Sequence, residues 1–195
     1  MVSDALLAVL NKNMQFPDDE AKYVLSLFKE KKYKRQALLL QEGKLAQEVF
    51  FVVKGSLRLF IHTEEGQERT CNFIFENEFV TDLESFSRQT RATAAIMALE
   101  PSTCLTIDCN DLVEALKHSP ATAEFFRMIV EEVATDNMRR TKSLLSLSPE
   151  KQFDELLQNR PGILQRVPLR YIAQYVGIAP ESLSRIRKRR LELKS

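Results

Sequence analysis

The spacing of hydrophobic residues changes along the chain, and each change marks a different kind of element. In residues 3–30 apolar residues recur at helical spacing, with a turn at Phe16 between two stretches. From about Tyr33 to Asp108 the period becomes two, which is the period of a half-buried strand. Helical spacing returns at Asn110. This order predicts small packing helices, then a sheet region, then a helical C-terminal part.

Turn residues divide the sheet region into short strands. Hydrophobic and polar residues alternate along Leu57–His62 and again from Cys71 to Phe75, on either side of a turn at 64–67. Gly66 in that turn can take positive φ, which favours a β-hairpin. Many short strands at such spacings indicate a closed or rolled antiparallel sheet. We therefore predict an α+β fold built on an antiparallel β-roll with flanking helices.

A long helix is predicted after the sheet region. Ser119-Pro120 is a strong start signal, because serine can cap free amides and proline is favoured at the first helical position. No glycine or proline follows until about Leu147, which gives a helix of roughly 40 Å at 1.5 Å per residue. One face has three-and-four spacing, and it predicts a dimer seam with a two-fold partner helix. Its residues are Phe126, Ile129, Val130, Val133, Asn137 and Leu144. The alternative is a stripe buried against its own domain.

Residues 168–190 contain the most informative spacing in the chain. A first helix presents apolar and small residues, and Gly177 can then take the left-handed conformation of a sharp turn. Leu183 and Ile186 face back from a second helix. The residues of the first helix face are Ile172, Ala173 and Val176. This is the spacing of a helix-turn-helix. The alternative is an ordinary αα-hairpin with a solvated basic end.

The opposite side of the second helix carries candidate DNA contacts. Glu181, Ser182 and Arg185 project there, near the helix start that meets base edges in a major groove. Arginine can donate two hydrogen bonds to guanine, and glutamate can accept one from cytosine. The alternative makes Glu181 and Arg185 a surface pair that contributes about 0.3 kcal/mol. The cations that follow are predicted to contact phosphates or solvent, and they are Arg187, Lys188, Arg189 and Arg190.

Charge and composition narrow the choice of partner. From residue 147 onward ten Lys/Arg stand against five Asp/Glu, although the whole chain has a net charge of only +1. A basic C-terminal part favours a polyanion as its partner. The sequence has no apolar run of about 18 to 20 residues and no basic, cleavable leader, so we expect a cytoplasmic protein without a membrane partner.

The reactive residue types favour neither a metal site nor an enzyme. Three cysteines without a CxxC pair and only two histidines argue against structural zinc or an iron–sulfur cluster. No nucleophile elbow, phosphate-binding loop or pairing of histidine with a carboxylate is recognisable in the sequence. We therefore expect no catalytic residues and no metal.

Two stretches resemble the Crp/Fnr family of transcription regulators. The first is VFFVVKGSLRLFIHTEEGQERTCNFIFENEF at 49–79, and the second is the helix-turn-helix at 168–190, in the family's order. The resemblance implies an effector-sensing roll of the double-stranded β-helix type found in cyclic-nucleotide-binding domains. It also implies a homodimer on near-palindromic double-stranded DNA, with RNA polymerase as a partner. The predicted regions are 1–118 (β-roll with N-terminal helices), 119–147 (dimerisation helix) and 148–195 (helix-turn-helix domain).

The ligand cassette departs from the family's pattern. Cyclic-AMP binders of the family carry Gly-Glu-Leu-Gly and then Arg-Ser or Arg-Thr, where this chain has TDLE at 81–84 and then Ala92-Thr93. Arg91 lies one place early, and a shift of one residue on a strand reverses the face of a side chain unless a bulge intervenes. We therefore expect another small effector, or none, in preference to a cyclic nucleotide. The candidate pocket residues are Thr81, Asp82, Leu83, Arg91 and Thr93.

The DNA-binding segment shows both matches and departures. Glu181, Ser182 and Arg185 match the family's Glu, Thr and Arg, but Pro180 replaces a guanine-reading arginine. No winged-hairpin sequence follows the second helix before Ser195. These departures motivate an alternative function, a ligand-binding or protein-interaction module of the same fold that has lost specific DNA binding.

Overall fold

The computed structural model describes residues 2–13 and 16–192, and in these residues the chain forms nine helices and eight strands. The helices are α1 (Val2–Asn13), α2 (Asp18–Leu27), α3 (Leu83–Arg88), α4 (Cys109–His118), α5 (Pro120–Ser146), α6 (Pro149–Asn159), α7 (Ile163–Arg166), α8 (Leu169–Val176) and α9 (Pro180–Glu192). The strands are β1 (Lys29–Tyr33), β2 (Leu38–Leu40), β3 (Glu48–Lys54), β4 (Leu57–His62), β5 (Glu68–Ile74), β6 (Phe79–Val80), β7 (Ala95–Ala98) and β8 (Ser102–Asp108). Lys194, counted in the basic C-terminal part, lies outside the described residues.

The strands form two four-stranded sheets, ordered β1-β8-β3-β6 and β2-β7-β4-β5. In the first sheet β8 pairs antiparallel with β1 and β3, so that Cys104 lies opposite Lys31 on one side and Val52 on the other. The predicted α+β fold with antiparallel sheets is confirmed. The sheet begins earlier than the sequence predicts, because residues 29 and 30 belong to β1 and not to the preceding helix.

The roll encloses a core of branched and aromatic side chains. Phe51, Val52 and Leu57 of β3 and β4 are fully buried. The N-terminal helices add Leu6 and Val24 to the same cluster. Burial of one such side chain contributes about 1.5 to 3 kcal/mol. Because the adjacent residues Phe51 and Val52 are both buried, β3 is covered on both of its faces.

The start of α5 is held by a network of polar groups. Ser119 Oγ accepts a hydrogen bond from Thr122 N at 3.0 Å, which is the predicted N-cap. Glu20 of α2 accepts from the Ser119 hydroxyl and from Ala121 N, the latter at 3.3 Å. The predicted helix is present over Pro120–Ser146, and its first turn is anchored to α2.

The chain divides into two compact units. The first comprises Met1–Leu59 and Phe73–Val133, and the second comprises Phe60–Asn72 and Ala134–Ser195. The tip of the β4–β5 hairpin therefore belongs to the same unit as α6 to α9. The region boundaries expected from the sequence stay predictions. Among the residues that the structure describes, no helix is both long and apolar enough to span a bilayer.

Candidate functional site

Helices α8 and α9 enclose a small core at the turn between them. Ile172 and Ala173 of α8 and Leu183 of α9 are fully buried. Helix α8 ends at Gly177, whose φ of +82° lies in the left-handed region, and Gly177 N donates to Ala173 O at 2.8 Å. The two helices and the turn thus lie where the spacing predicts them.

The candidate base-reading residues share the outer side of α9. Glu181, Ser182 and Arg185 are all exposed, whereas Leu183 between them is fully buried. Glu181 and Arg185 are four residues apart, so they lie one turn apart on the same side of the helix. A ligand that approaches the first turns of α9 therefore meets one acceptor, one hydroxyl and one forked donor.

The basic run at the end of α9 does not form one uniform surface. Arg187, Lys188 and Arg189 are exposed. Arg190 is 28% exposed, and its Nη1 lies 2.9 Å from Oδ1 of Asp154 on α6. Arg190 therefore ties α9 to α6, while its three neighbours face solvent.

Arg140 near the end of α5 joins that helix to α8. Its guanidinium carbon lies 3.7 Å from the centroid of the Tyr175 ring. It also donates to the Tyr175 carbonyl and, at 3.3 Å, to Gln152 Oε1. Burial lowers the pKa of Arg140 and raises the pKa of Tyr175. The sequence offered no signal for this contact, because it joins residues 35 apart in the chain.

The apolar stripe of α5 is divided in two. Phe126 and Ile129 pack against the core of the first unit, and the Phe126 ring lies 5.8 Å from that of Phe79. From Val130 onward the apolar side chains of the stripe are exposed: Val130 by 43% and Leu144 by 51%. Val133 and Asn137, between them, are exposed as well. The alternative of a stripe buried against its own domain therefore applies to the first turns only.

The candidate effector site centres on Asp82, which is 8% exposed. One carboxylate oxygen caps α3 by accepting from Ser85 N at 3.1 Å. The other accepts from Thr93 N at 3.0 Å and from Ala94 N at 3.1 Å. The carboxylate thus joins the start of α3 to the segment that enters β7. Helix α3 lies within the region where the sequence predicts strands, although aspartate ahead of a short helix is an ordinary capping signal.

The other candidate pocket residues are less closely associated with Asp82. Thr81 Oγ1 donates to Glu48 O at 2.9 Å, and the Leu83 side chain is 44% exposed. Arg91 donates from Nη1 to Gly43 O at 3.1 Å. The structure therefore brings Asp82 and Thr93 together, and it directs the Arg91 guanidinium to a backbone carbonyl elsewhere.

A half-open cavity of about 520 Å³ lies beside the turn of the helix-turn-helix, within the second unit. Thr70 at the hairpin donates to Gln174 Oε1 at 3.3 Å near this cavity. Its lining residues are Gln67, Glu68, Arg69, Arg170, Gln174, Gly177, Ile178, Ala179 and Pro180. Across residues 2–13 and 16–192 no group of three or more His, Cys, Asp or Glu is placed to hold a metal ion.

Both a protein-family profile and individual proteins match this chain in sequence. The profile of the cyclic nucleotide-binding domain matches residues 30–119. The cAMP-activated global transcriptional regulator CRP of Escherichia coli O157:H7 is 24% identical over 170 residues, which are 80% of each chain. Residues 30–119 thus match the cyclic nucleotide-binding domain, and the chain is similar in sequence to CRP. The resemblance stated from the sequence is thereby confirmed.

Solved structures show a similar fold over most of the length of the chain. The c-di-GMP responsive global regulator CLP of Xanthomonas campestris superposes with a TM-score of 0.72 at 17% identity, over 90% of this chain and 92% of CLP. FixK2 of Bradyrhizobium japonicum gives a TM-score of 0.72 at 16% identity, over 83% of both chains. At these identities the likeness shows a shared fold. The homologues named as regulators support a role in transcription regulation.

Proposed function

We propose that this protein is a sequence-specific, homodimeric DNA-binding transcription regulator. The observation that carries the proposal is that α9 has one buried side and one exposed side. Leu183 packs into the core with α8, while Glu181, Ser182 and Arg185 are exposed at the start of the helix. A recognition helix needs this arrangement, because one side must hold the motif together and the other must enter the major groove.

Each exposed residue at the start of α9 has a defined chemical role in this proposal. Arg185 donates two hydrogen bonds to guanine O6 and N7, and Glu181 accepts from cytosine N4. Ser182 donates to or accepts from a neighbouring base or phosphate. Pro180 has neither a long side chain nor an amide hydrogen, so we expect one operator position to be read less strictly.

Phosphate contacts come from the exposed cations further along α9. Arg187, Lys188 and Arg189 are exposed, so their charges can reach and neutralise phosphates. Arg190 would first have to break its ion pair with Asp154. We therefore assign the phosphate contacts to the first three and treat Arg190 as a contact available only after rearrangement.

The homodimer forms along the exposed part of the α5 stripe. Val130, Val133 and Leu144 present apolar surface that an identical helix would cover, with Asn137 as a polar residue that fixes the register. Two copies related by a two-fold axis would place their recognition helices on half-sites about 34 Å apart. RNA polymerase as a further partner and a cytoplasmic location are expectations that follow from the resemblance.

The nature of the effector is a separate part of the proposal. CRP is named as cAMP-activated and CLP as c-di-GMP responsive, so relatives of this chain respond to cyclic nucleotides. In this chain Arg91 is directed to Gly43 O and not to Asp82. We therefore propose a different small effector or none for this roll.

Selection from a random DNA library, followed by base substitution, tests the DNA-binding proposal. We expect Arg185→Ala to lose about 1 to 3 kcal/mol of preference at a single base pair of the selected site. The matched control Lys188→Ala should weaken binding to all sequences alike. An Arg185→Ala protein with unchanged base preference would favour the alternative, a module of the same fold that has lost specific DNA binding.

A further inference from the structure

The roll contains a buried carboxylate whose partners are all backbone amides. Asp82 accepts from Ser85 N, Thr93 N and Ala94 N, at 3.0 to 3.1 Å. Among the described residues, no lysine or arginine forms an ion pair with it. Three amide donors that converge on one buried position make an anion site, and here the anion belongs to the protein itself.

A second set of hydrogen bonds holds α3 in place. Ser85, at 1% exposure, accepts from Ala46 N at 2.9 Å and donates to Thr90 O at 2.6 Å. The α3 segment is therefore fastened both to the loop before β3 and to the loop before β7.

Binding of a ligand phosphate at this position would be energetically unfavourable. It would have to displace the Asp82 carboxylate from the Thr93 and Ala94 amides and leave a buried negative charge without its donors. The two anions would also repel each other at close range in a site of low polarity. Arg91, two residues before Thr93, is directed to Gly43 O and compensates neither charge.

We propose that Asp82 is a built-in anion that occupies the amides of Ser85, Thr93 and Ala94 and so excludes a ligand phosphate from this position in the roll. Asp82 is thus the residue that determines ligand specificity in the candidate effector site. This inference rests on the proposed function only in assuming that the roll is the regulatory part of the chain. An effector of this protein would be a molecule without a phosphate at this position.

Thermal unfolding of the full chain tests the proposal, with and without anions. Asp82→Ala should lower the unfolding midpoint by about 2 to 8 °C, because one helix cap and two further amide partners are lost. The freed amides should then be able to bind inorganic phosphate. With chloride at equal ionic strength as the reference, about 100 mM phosphate should raise the unfolding midpoint of Asp82→Ala more than that of wild type. Asp82→Asn keeps the side-chain shape and provides a second variant if Asp82→Ala does not fold. It should show the same two effects to a smaller extent.

Glu84→Ala is the matched control. Glu84 lies two residues away on α3, and its exposed side chain forms an ion pair with Arg88 at 3.2 Å. We expect its midpoint and phosphate response to equal those of wild type. Equal behaviour of the Asp82 variants and Glu84→Ala would overturn the proposal.

Calorimetric titration of wild type with cyclic AMP and with cyclic di-GMP completes the test. We expect no saturable heat, and saturable binding of either compound would overturn the proposal. Neither readout involves DNA. A chain that failed to bind DNA specifically would contradict the proposed function and leave the result on Asp82 intact.

Discussion

Replacing Arg140 by alanine tests how the end of α5 holds the helix-turn-helix. The change removes a guanidinium that stacks on the Tyr175 ring at 3.7 Å and donates to Gln152 Oε1 at 3.3 Å. It also leaves the Tyr175 carbonyl without this donor. A stacked cation contributes about 0.5 to 2 kcal/mol, and a hydrogen bond from a charged group contributes about 1.5 to 3 kcal/mol.

Part of that stabilisation is offset, because burial of the guanidinium costs solvation free energy. The lowered pKa of Arg140, caused first by burial, shows this cost. We therefore expect a net loss of about 2 kcal/mol. In a chain of this size such a loss lowers the unfolding midpoint by about 4 to 8 °C.

Hydrogen exchange followed by mass spectrometry localises the effect. Amides of α8 should exchange at least tenfold faster in Arg140→Ala, while those of the first sheet should be unchanged. The matched control is Arg139→Ala, because Arg139 is exposed and forms an ion pair with Asp136 on its own helix, at 2.6 Å. An exposed pair of this kind contributes about 0.3 to 0.5 kcal/mol. The reasoning is refuted if both variants change α8 exchange equally, or if neither does.

Three further predictions concern the turn between β3 and β4, the dimer and a buried thiol. Gly55→Ala should destabilise the roll by more than about 2 kcal/mol in urea unfolding, because Gly55 has a φ of +101° and an added Cβ would lie 2.8 Å from Ser102 Cα. A loss below about 0.5 kcal/mol would contradict this prediction. Val133→Glu should shift the sedimentation coefficient from dimer to monomer, because it places a charge on the exposed α5 stripe, and an unchanged coefficient would count against that seam. Burial raises the pKa of Cys104 to about 12, so the folded state keeps this proton after the unfolded chain has lost it. Stability should therefore fall as pH rises from about 8.5 towards that value, and fall less in Cys104→Ala; urea midpoints at pH 8 and 10 that move equally in both proteins would disprove the linkage.

Sequence alone could predict those parts of the molecule whose signals are local. Ser119-Pro120 marks the start of α5 because a cap and its helix are neighbours in the chain. Gly177 marks the turn of the helix-turn-helix for the same reason, since positive φ is a property of one residue. The buried and exposed sides of α9 likewise follow from a helical period.

The features that were missed depend on partners distant in sequence. Strand β1 reads KEKKY and has no apolar alternation, and it is defined by pairing with β8 about seventy residues later. The division of the α5 stripe was equally hidden, because only the folded roll shows that Phe126 meets Phe79. The departure of the cassette from the family's pattern can be read from the sequence, but the hydrogen bonds to Asp82 depend on where the fold places the Thr93 and Ala94 amides.

The dependence of DNA affinity on salt and on sequence tests the central claim most directly. Wild type should bind its selected duplex at least about a thousandfold more tightly than a scrambled duplex at physiological salt. The logarithm of the affinity should fall linearly with the logarithm of the salt concentration, as expected when several phosphates are neutralised. Equal affinity for both duplexes, or affinity that does not change with salt, would contradict the assignment of this chain as a sequence-specific DNA-binding regulator.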